Sequence, residues 1–409
     1  MTFDFDKIIV RDGTASVKQD GRAGYFGTSD VLPLWVADMD FAAPESVTKA
    51  LTQRAEHPVY GYTFYPESMV DSLIDWLRKR HGWAVERDWI VMAPGVVTSL
   101  FASVMAFAEQ GEGVIVQPPV YAPFFSAVTT NQRRLIENPL LLVDGVYRID
   151  FEHLERCAAE GAKMLLFCSP HNPVGRVWSK AELEQLLAIT RRYDITILSD
   201  EIHADLVYPN LKHPNLKHPS LKHPDLTHHD GQHTTLAMLA NEGDKIITAV
   251  APSKTFNIPG LGLSALIVPN PAQRAKLKKV FESLHLSNTN PFSTAAFEAA
   301  YRDGEAWLDA LLIYLRDNRD FVSDYLKHHL PNIRLIQPQG TYLLWLDCRS
   351  LEMTDAQLEA FFVQEAKVGL NSGKSFGSGG SGFMRLNIAS PRSVIAEALT
   401  HMTNAFQAR

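Results

Sequence analysis

A lysine in a serine-containing turn is the first residue whose position suggests chemistry. Lys254 lies in Ala251-Pro252-Ser253-Lys254-Thr255-Phe256, just after an apolar run that ends at Val250. A lysine amine can form a Schiff base when burial or nearby charge makes it nucleophilic. The ordinary alternative is a solvated loop lysine. Taken alone, Lys254 favours that alternative because most lysines are exposed.

A carboxylate and a histidine lie close together at the end of another apolar run. Asp200 ends the run that begins at Ile195, and His203 follows shortly after it. A carboxylate that ends a buried strand is costly unless it is paired. The protonated pyridine nitrogen of pyridoxal 5′-phosphate (PLP) would pair with Asp200, and His203 could reach the phenolic oxygen of the same ring. A helix N-cap for Asp200 and a packed histidine explain each residue alone equally well.

Three more positions follow apolar runs and suit the same ligand. Asn172 lies in the rigid turn Ser169–Gly175, where its amide could hold a phenolate oxygen, although Asn-Pro turns are common. Tyr121 lies between prolines and could stack on a pyridine ring or simply pack in the core. Gly95 precedes a helical pattern whose first amides could bind phosphate, but glycine is ordinary at such a turn.

The combination is more specific than its members. Along the chain come a glycine turn, an aromatic residue, Asn-Pro, an aspartate and Ser-Lys, each at the end of an apolar run. In open α/β sheets, ligands occupy the crevice at the carboxyl ends of the strands. The pattern therefore predicts one site, and a PLP-dependent enzyme that holds its cofactor as an imine on Lys254 and acts on amino acids.

These residues need a sheet to position them. The predicted strands are Trp89–Ala93, Gly113–Gln117, Lys163–Cys168, Ile195–Asp200, Lys245–Val250 and Leu263–Val268. Helical patterns such as Val96–Glu109 and Ala181–Arg192 alternate with them. Near-continuous apolar strands separated by amphipathic helices predict an α/β fold with a mostly parallel sheet covered on both faces. The loop before the sixth strand is too short for a helical crossover, so that strand should run antiparallel to the fifth.

The length of 409 residues predicts more than one domain. In the C-terminal third, a long helix over 305–329 is followed by strands at 341–346 and 384–387 around a helix near 355–366. This order of helices and strands is typical of a smaller α+β domain. The predicted division is an N-terminal arm or part of the small domain at 1–45, a large PLP-binding domain at 46–285, and a small domain at 286–409.

Composition narrows the class of protein. A net charge of −7 with 46% hydrophobic and 21% charged residues is ordinary for a globular protein and gives no support for a nucleic-acid or anionic-membrane partner. The start of the chain lacks the features of a signal peptide, and no apolar run approaches the ~18 residues that span a bilayer. Three cysteines without a CxxC pair suit a reducing cytosol. We therefore expect a cytoplasmic protein with no membrane partner and no metal site.

Four longer motifs extend the pattern. They are Leu32-Pro33-Leu34-Trp35-Val36-Ala37-Asp38-Met39-Asp40-Phe41, Tyr60-Gly61-Tyr62-Thr63, Ser199-Asp200-Glu201-Ile202-His203-Ala204-Asp205-Leu206 and Ser253-Lys254-Thr255-Phe256-Asn257-Ile258-Pro259-Gly260-Leu261. With them the chain resembles, over essentially its whole length, the fold-type I PLP enzymes of the class I/II aminotransferase superfamily. Within that superfamily it looks like the cystathionine β-lyase group of bacterial C–S lyases, of the maltose-regulon-modulator type. The resemblance implies an aspartate aminotransferase-like fold.

The resemblance also implies residue roles. Lys254 would carry the cofactor and act as acid and base at Cα, Asp200 would pair with the pyridine nitrogen, and Tyr121 would stack on the ring. Asn172, helped by His203, would hold the ring oxygen. The other implied positions are Gly95, Val96 and Ser253 at the phosphate, Val97 also at the cofactor, Arg385 at the substrate α-carboxylate, Ala37 with Asn172 and Tyr121 at the substrate, and Tyr62 reaching into the neighbouring subunit's site. The last of these implies a homodimer.

Two features depart from the family pattern. Many aminotransferases have a phosphate-binding arginine eight positions after the lysine, whereas this chain has Gly262. Glycine here agrees with the lyase group. It leaves open which group neutralises the charge of the phosphate. The second feature is a tandem Pro/Lys/His pentad repeat over 209–228. A surface loop lengthened by repeat expansion is the favoured interpretation. A metal-binding or pH-sensing loop is the alternative, because histidines bind metals and gain charge near neutrality.

The same residues serve more than one reaction. Removal of the Cα proton by Lys254 is common to a β-lyase and an aminotransferase. The favoured expectation is β-elimination from L-cystathionine, cysteine or related thioethers, which yields pyruvate, ammonia and a thiol. Transamination is the alternative. A regulatory binding protein is a third hypothesis because the group includes members that bind a transcriptional regulator. Retention of Lys254, Asp200 and Arg385 favours catalysis.

Overall fold

The computed structural model describes residues 3–208, 231–286 and 288–409. The pentad repeat at 209–228 lies outside these described residues, so both interpretations of it stay predictions. Within the described ranges, no helix combines the length and the apolar character required to cross a membrane.

The strands and helices have the following bounds. The strands are β1 Leu32–Pro33, β2 Ile90–Ala93, β3 Gly113–Val116, β4 Arg134–Glu137, β5 Leu141–Val143, β6 Val146–Arg148, β7 Ala162–Cys168, β8 Thr196–Asp200, β9 Ile246–Val250, β10 Ser264–Ile267, β11 Arg334–Ile336, β12 Leu343–Asp347, β13 Val368–Gly369, β14 Asn371–Ser372 and β15 Phe383–Asn387. The α-helices are α1 Val17–Asp20, α2 Arg22–Phe26, α3 Glu45–Glu56, α4 Glu67–His81, α5 Val96–Phe107, α6 Pro123–Thr129, α7 Phe151–Ala159, α8 Lys180–Arg192, α9 Pro252–Thr255, α10 Pro271–Ser283, α11 Pro291–Asp303, α12 Glu305–His329, α13 Asp355–Ala360 and α14 Arg392–Gln407.

A seven-stranded sheet in the order β2-β10-β9-β8-β7-β3-β4 forms the centre of the fold. Neighbouring strands are parallel except at β10, which runs antiparallel to both β9 and β2. The predicted α/β class is confirmed, and so is the antiparallel direction of the sixth predicted strand. The physical reason is the connection between β9 and β10, which holds only short helical turns and cannot cross back over the sheet.

The central strands are apolar along their length because both faces of the sheet are covered. Every residue of β8 and β9 is buried. The neighbouring residues Ile197 and Leu198 point to opposite faces and join two separate hydrophobic clusters. A strand that is buried on both faces shows no polar alternation, and this explains the continuous apolar runs in the sequence.

The C-terminal third builds a second sheet, in the order β11-β12-β15-β14, with antiparallel pairing throughout. Helix α12 has the predicted bounds, and its Leu308, Leu311 and Leu315 are buried in the cluster that includes Leu343. The predicted helix near 355–366 is α13 followed by a π-helical turn at Phe361–Glu365. Strand β1 pairs with β13, so the N-terminal segment joins this part of the fold. The domain boundaries at 45 and 285 stay predictions.

Helix α12 supports a test of the core. Leu308 is fully buried, whereas Ile313 on the same helix is 45% exposed. We expect Leu308→Ala to lower the free energy of unfolding by about 2–5 kcal/mol, because it removes buried methyl groups and leaves a cavity. The matched Ile313→Ala change should cost less than about 1 kcal/mol. Urea unfolding followed by circular dichroism checks both values, and equal effects would contradict the assigned helix faces.

Candidate active site

A cavity of about 280 Å³ opens at the carboxyl ends of the central strands. Most of the residues that the sequence singled out line it. They are Ala37, Gly95, Val96, Val97, Tyr121, Asn172, Asp200, His203, Ser253 and Lys254. Ala37 and Lys254, which are 217 positions apart in the chain, meet here. The cavity lies where parallel strands end, the usual position of a ligand site in an open α/β sheet.

One wall of the cavity is the N-terminus of α5. Gly95 is the N-cap residue of this helix, and no side chain caps it. A Cβ atom placed on Gly95 would meet no described atom within 4 Å, so the space beside the first turn is open. Backbone N–H groups and the positive end of the helix dipole favour an anion at such a position.

Lys254 lies in the short helix α9, and its Nζ donates a hydrogen bond to the Ala37 carbonyl at 2.6 Å. Burial and, to a smaller extent, the nearby Arg385 guanidinium lower the pKa of this amine to about 8. The carboxylates of Asp38 and Asp200 act in the opposite direction. A sizeable fraction of the amine is therefore neutral near physiological pH, as a nucleophile or general base requires.

Asp200 is the last residue of β8, and its side chain is buried beside the cavity. Its Oδ1 accepts a hydrogen bond from the Ile202 amide at 3.1 Å. Burial raises the pKa of Asp200 to about 7, against the lowering effect of that hydrogen bond, and Glu201 adds to the rise. A carboxylate that is this costly to ionise calls for a cationic partner, and a protonated ring nitrogen would be one.

His203 and Asn172 present polar atoms beside Asp200. His203 is buried, and its Nδ1 has no hydrogen-bond partner among the described residues. Burial lowers the pKa of His203 to about 3, so the ring is neutral. Asn172 accepts a hydrogen bond at Oδ1 from Arg385 Nη1 at 3.2 Å, which leaves its amide N–H groups as donors for a ligand. Tyr121 lines the same cavity with an aromatic ring.

Arg385 belongs to β15 of the second sheet and is only 4% exposed. Its guanidinium donates to three neutral acceptors, Asn172 Oδ1, the Trp35 carbonyl and Asn371 Oδ1. Its Nε has no partner among the described residues. Burial lowers the pKa of Arg385 to about 10, yet it stays charged near neutrality. A buried arginine with neutral partners is suited to bind the carboxylate of a ligand.

Three residues singled out by the sequence need separate description. Arg385 does not line the cavity itself but lies behind Asn172, which does. Tyr62 is fully exposed on the chain and does not line the cavity, so its role in a neighbouring subunit stays a prediction. Gly262 does line the cavity, with a φ of +45°, and a Cβ there would lie 3.2 Å from the Pro94 carbonyl oxygen. The left-handed backbone and the close approach of Pro94 both favour glycine at this position.

Sequence reasoning missed several residues around the cavity. Tyr342 is fully buried and donates a hydrogen bond to the Ala37 carbonyl at 2.9 Å. Asn257 binds the main chain of Met39. Asn387, on the same strand as Arg385, binds the neighbouring part of the 35–41 segment. The available signal was position: Asn257 lies in a motif already singled out, and Asn387 follows Arg385 with the two-residue period of one strand face.

Comparison with known proteins identifies the family. Residues 29–402 match the family profile described as aminotransferase class I and II. The chain belongs to this family. The match covers both sheets and every cavity-lining residue discussed above.

Individual relatives match this chain along nearly their whole length. Cystathionine beta-lyase PatB of Bacillus subtilis (strain 168) is 40% identical over 403 residues, 98% of this chain and 99% of PatB. The PLP-bound structure of a provisionally assigned aminotransferase from Clostridium difficile 630 has a TM-score of 0.92 and 38% identity, covering 99% of this chain and 100% of that one. The PLP-bound C–S lyase from Staphylococcus hominis has a TM-score of 0.88 and 31% identity, covering 99% and 98%.

The raised pKa of Asp200 predicts how the stability of this aminotransferase family member depends on pH without cofactor. Asp200 ionises at about 7 in the folded protein and at the ordinary 3.8 when unfolded, so folding takes up a proton between these values. The free energy of unfolding of the wild type, minus that of Asp200→Asn, should therefore fall as pH rises from 3.8 to about 7 and then level off.

Urea unfolding of both cofactor-free proteins at a series of pH values measures this difference. The subtraction removes the contributions of groups that Asp200 does not perturb, including the buried His171 and His203, whose lowered pKa values act in both proteins. A difference that does not change with pH would contradict a buried Asp200 with a raised pKa.

Proposed function

We propose that this protein is a PLP-dependent C–S β-lyase that cleaves L-cystathionine or related cysteine thioethers to pyruvate, ammonia and a thiol. One observation carries the proposal. Lys254 and Asp200 line one cavity, and the buried Arg385 is hydrogen-bonded to Asn172 of its lining, in a chain that matches cystathionine beta-lyase PatB over 98% of its length.

The cavity residues fit PLP on independent grounds. The Asp200 carboxylate, with its raised pKa, suits a protonated ring nitrogen, and the unpartnered Nδ1 of His203 suits a polar atom of the ring. The uncapped N-terminus of α5 and the hydroxyl of Ser253 suit a phosphate. When bound, PLP supplies an electron sink that stabilises negative charge at the substrate Cα.

The protein side chains supply binding, orientation and proton transfer. Arg385 binds the substrate α-carboxylate through its guanidinium and so fixes the amino acid in the cavity. Lys254 Nζ takes the proton from Cα, because its lowered pKa leaves part of the amine neutral. Tyr121 covers one side of the cavity. Asn172, which also lines the cavity, accepts a hydrogen bond from Arg385 and so connects the substrate-binding arginine to the cofactor site. This arrangement labilises the Cα–H bond, the step that precedes loss of a thiolate from Cβ.

Transamination is the second candidate, since the structurally similar Clostridium difficile protein is assigned to that activity. The proton abstracted by Lys254 serves both reactions, so the cavity residues named above do not discriminate between them. PatB at 40% identity and the Staphylococcus hominis C–S lyase support the lyase assignment. We therefore place β-elimination first.

Release of pyruvate from L-cystathionine is the test of the proposed activity. The PLP-loaded protein, with no keto acid added, should release pyruvate over many turnovers. Lys254→Ala should reduce the rate by roughly 10²–10⁴-fold, because the general base is lost. The exposed Lys49→Ala should leave the rate unchanged. Absence of pyruvate from protein whose visible spectrum confirms cofactor loading would remove cystathionine as substrate and favour transamination.

We also propose that the protein works as a homodimer. The segment 59–64 exposes apolar and aromatic side chains, with Val59 at 63%, Tyr62 at 105% and Phe64 at 79% relative exposure. A contiguous exposed patch of this kind is typical of a protein–protein interface. In a twofold dimer this segment would carry Tyr62 to the cofactor of the partner.

Mixed dimers test this placement of Tyr62. Tyr62→Ala and Lys254→Ala chains should each be nearly inactive alone. In a dimer of one chain of each kind, one site holds both an intact Lys254 and an intact Tyr62. Co-refolding the two in equal amounts should therefore restore roughly a quarter of the wild-type rate, the share expected for random pairing in a twofold dimer. If Tyr62 acts within its own chain, mixing will restore nothing.

A cytoplasmic location is part of the same proposal. Cys157, Cys168 and Cys348 are all free and buried. Free thiols without disulfides are typical of a reducing compartment.

A further inference from the structure

The segment Trp35–Phe41, here called the strap, contributes Ala37 to the cavity lining. Side chains from β15 of the small sheet, from Tyr342 just before β12 and from the segment after β9 bind its main chain. The contacts are Arg385 Nη2 to the Trp35 oxygen (2.9 Å), Asn387 Nδ2 to the Val36 and Asp38 oxygens (2.6 and 2.7 Å), Lys254 Nζ and the Tyr342 hydroxyl to the Ala37 oxygen (2.6 and 2.9 Å), and Asn257 Nδ2 to the Met39 and Phe41 oxygens (3.0 and 2.8 Å). The position of the strap therefore sets the position of Lys254 and Arg385 as well.

Two cationic side chains of the N-terminal segment bind the two carboxylates of the strap. Arg11 binds Asp38 at 2.6 Å and Asp40 at 2.8 Å. Lys18 Nζ lies 2.7 Å from Asp40 and 3.9 Å from Asp38. The Lys18 carbonyl also accepts a hydrogen bond from the Trp35 indole at 3.1 Å. Two cations of the N-terminal segment thus neutralise two carboxylates of the strap.

Lys18 is the unusual member of this cluster because its side chain is 0% exposed, whereas that of Arg11 is 20% exposed. Lysine is almost never fully buried unless it is paired. A buried ion pair adds little net stability compared with apolar residues of the same volume, but loss of one partner is strongly destabilising. The cluster is therefore explained better by fixing one position of the strap than by adding stability.

The cluster also lies close enough to affect the cavity electrically. Lys254 is faced by Asp38 of the strap, by Asp200 at the end of β8 with His203 just after it, and by Arg385 on β15. Asp38 favours the protonated form of Lys254, while Arg385 opposes it. The cations that pair with Asp38 therefore limit the negative charge that acts on Lys254.

We propose that Lys18 and Arg11 are positioning residues of the active site, which hold the strap so that the Ala37 and Trp35 carbonyls meet Lys254 and Arg385. The inference rests on the proposed function in assigning the cavity to amino-acid substrates. It does not depend on whether β-elimination or transamination follows. Neither cation contacts the cavity, so their effect reaches the substrate through Asp38, Asp40 and the strap.

The test compares PLP-loaded wild type with Lys18→Met, with the double variant Lys18→Met/Asp40→Asn, and with Lys49→Met as control. Lys49 is exposed and pairs with Glu45 on the same helix. The ligand is L-alanine, which carries the α-carboxylate and α-amine but no leaving group at Cβ. The first readout is the L-alanine concentration that half-saturates the change in the visible spectrum. The second is the pH midpoint of the visible band without amino acid.

Lys18→Met should raise the half-saturating L-alanine concentration by roughly tenfold to a hundredfold, because small displacements of binding groups are costly. It should also move the pH midpoint upward, since the uncompensated carboxylates favour a protonated group at Lys254. The double variant restores charge balance and should return both values toward wild type. Lys49→Met should change neither.

A lower melting temperature for Lys18→Met, with wild-type L-alanine binding and pH midpoint, would show a purely structural role and overturn the proposal. So would a double variant as impaired as the single one. If Lys18→Met does not fold, Arg11→Gln and Arg11→Gln/Asp38→Asn provide the same comparison at a partly exposed position. Wild type that binds L-alanine but releases no pyruvate from L-cystathionine would contradict the lyase assignment alone and leave this inference standing.

Discussion

Burial of ionisable side chains in and beside one cavity is the constraint on which the rest of the structure depends. Lys254, Asp200 and Arg385 are all removed from water, which shifts their pKa values to about 8, 7 and 10. Each such burial costs several kcal/mol unless the group is paired or loses its charge. The central sheet can support this cost because its inner strands are buried on both faces and hold Asp200 in place.

The partners of these charges explain why the cavity suits a ligand with several charges of its own. Arg385 is hydrogen-bonded only to neutral oxygens among the contacts described, and Asp200 to a backbone amide. The first turn of α5 adds a site for an anion. A cofactor with a ring nitrogen and a phosphate, together with a substrate carboxylate, would complete the pairing that the protein leaves open.

The strap joins the two sheets around this cavity. Its main-chain oxygens accept hydrogen bonds from Lys254 beside the large sheet and from Arg385 and Asn387 on the small one. Its carboxylates are neutralised from the N-terminal segment by Arg11 and Lys18. A segment with little periodicity in the sequence thus helps to set the geometry of the site. Its short elements gave no helical or strand pattern from which this role could be predicted.

The sequence by itself determined the α/β class, the central strands and most of the cavity lining. Continuous apolar runs indicate strands that are buried on both faces of the sheet. Polar residues such as Asn172 and Asp200 indicate the strand ends where a ligand can lie. These signals are local, so they survive in the linear chain. Only the tertiary structure decided that Lys18 is fully buried, that Tyr342 meets the Ala37 carbonyl, and which neighbours perturb Lys254. Such facts depend on distances between segments far apart in the chain, which spacing along the sequence does not encode.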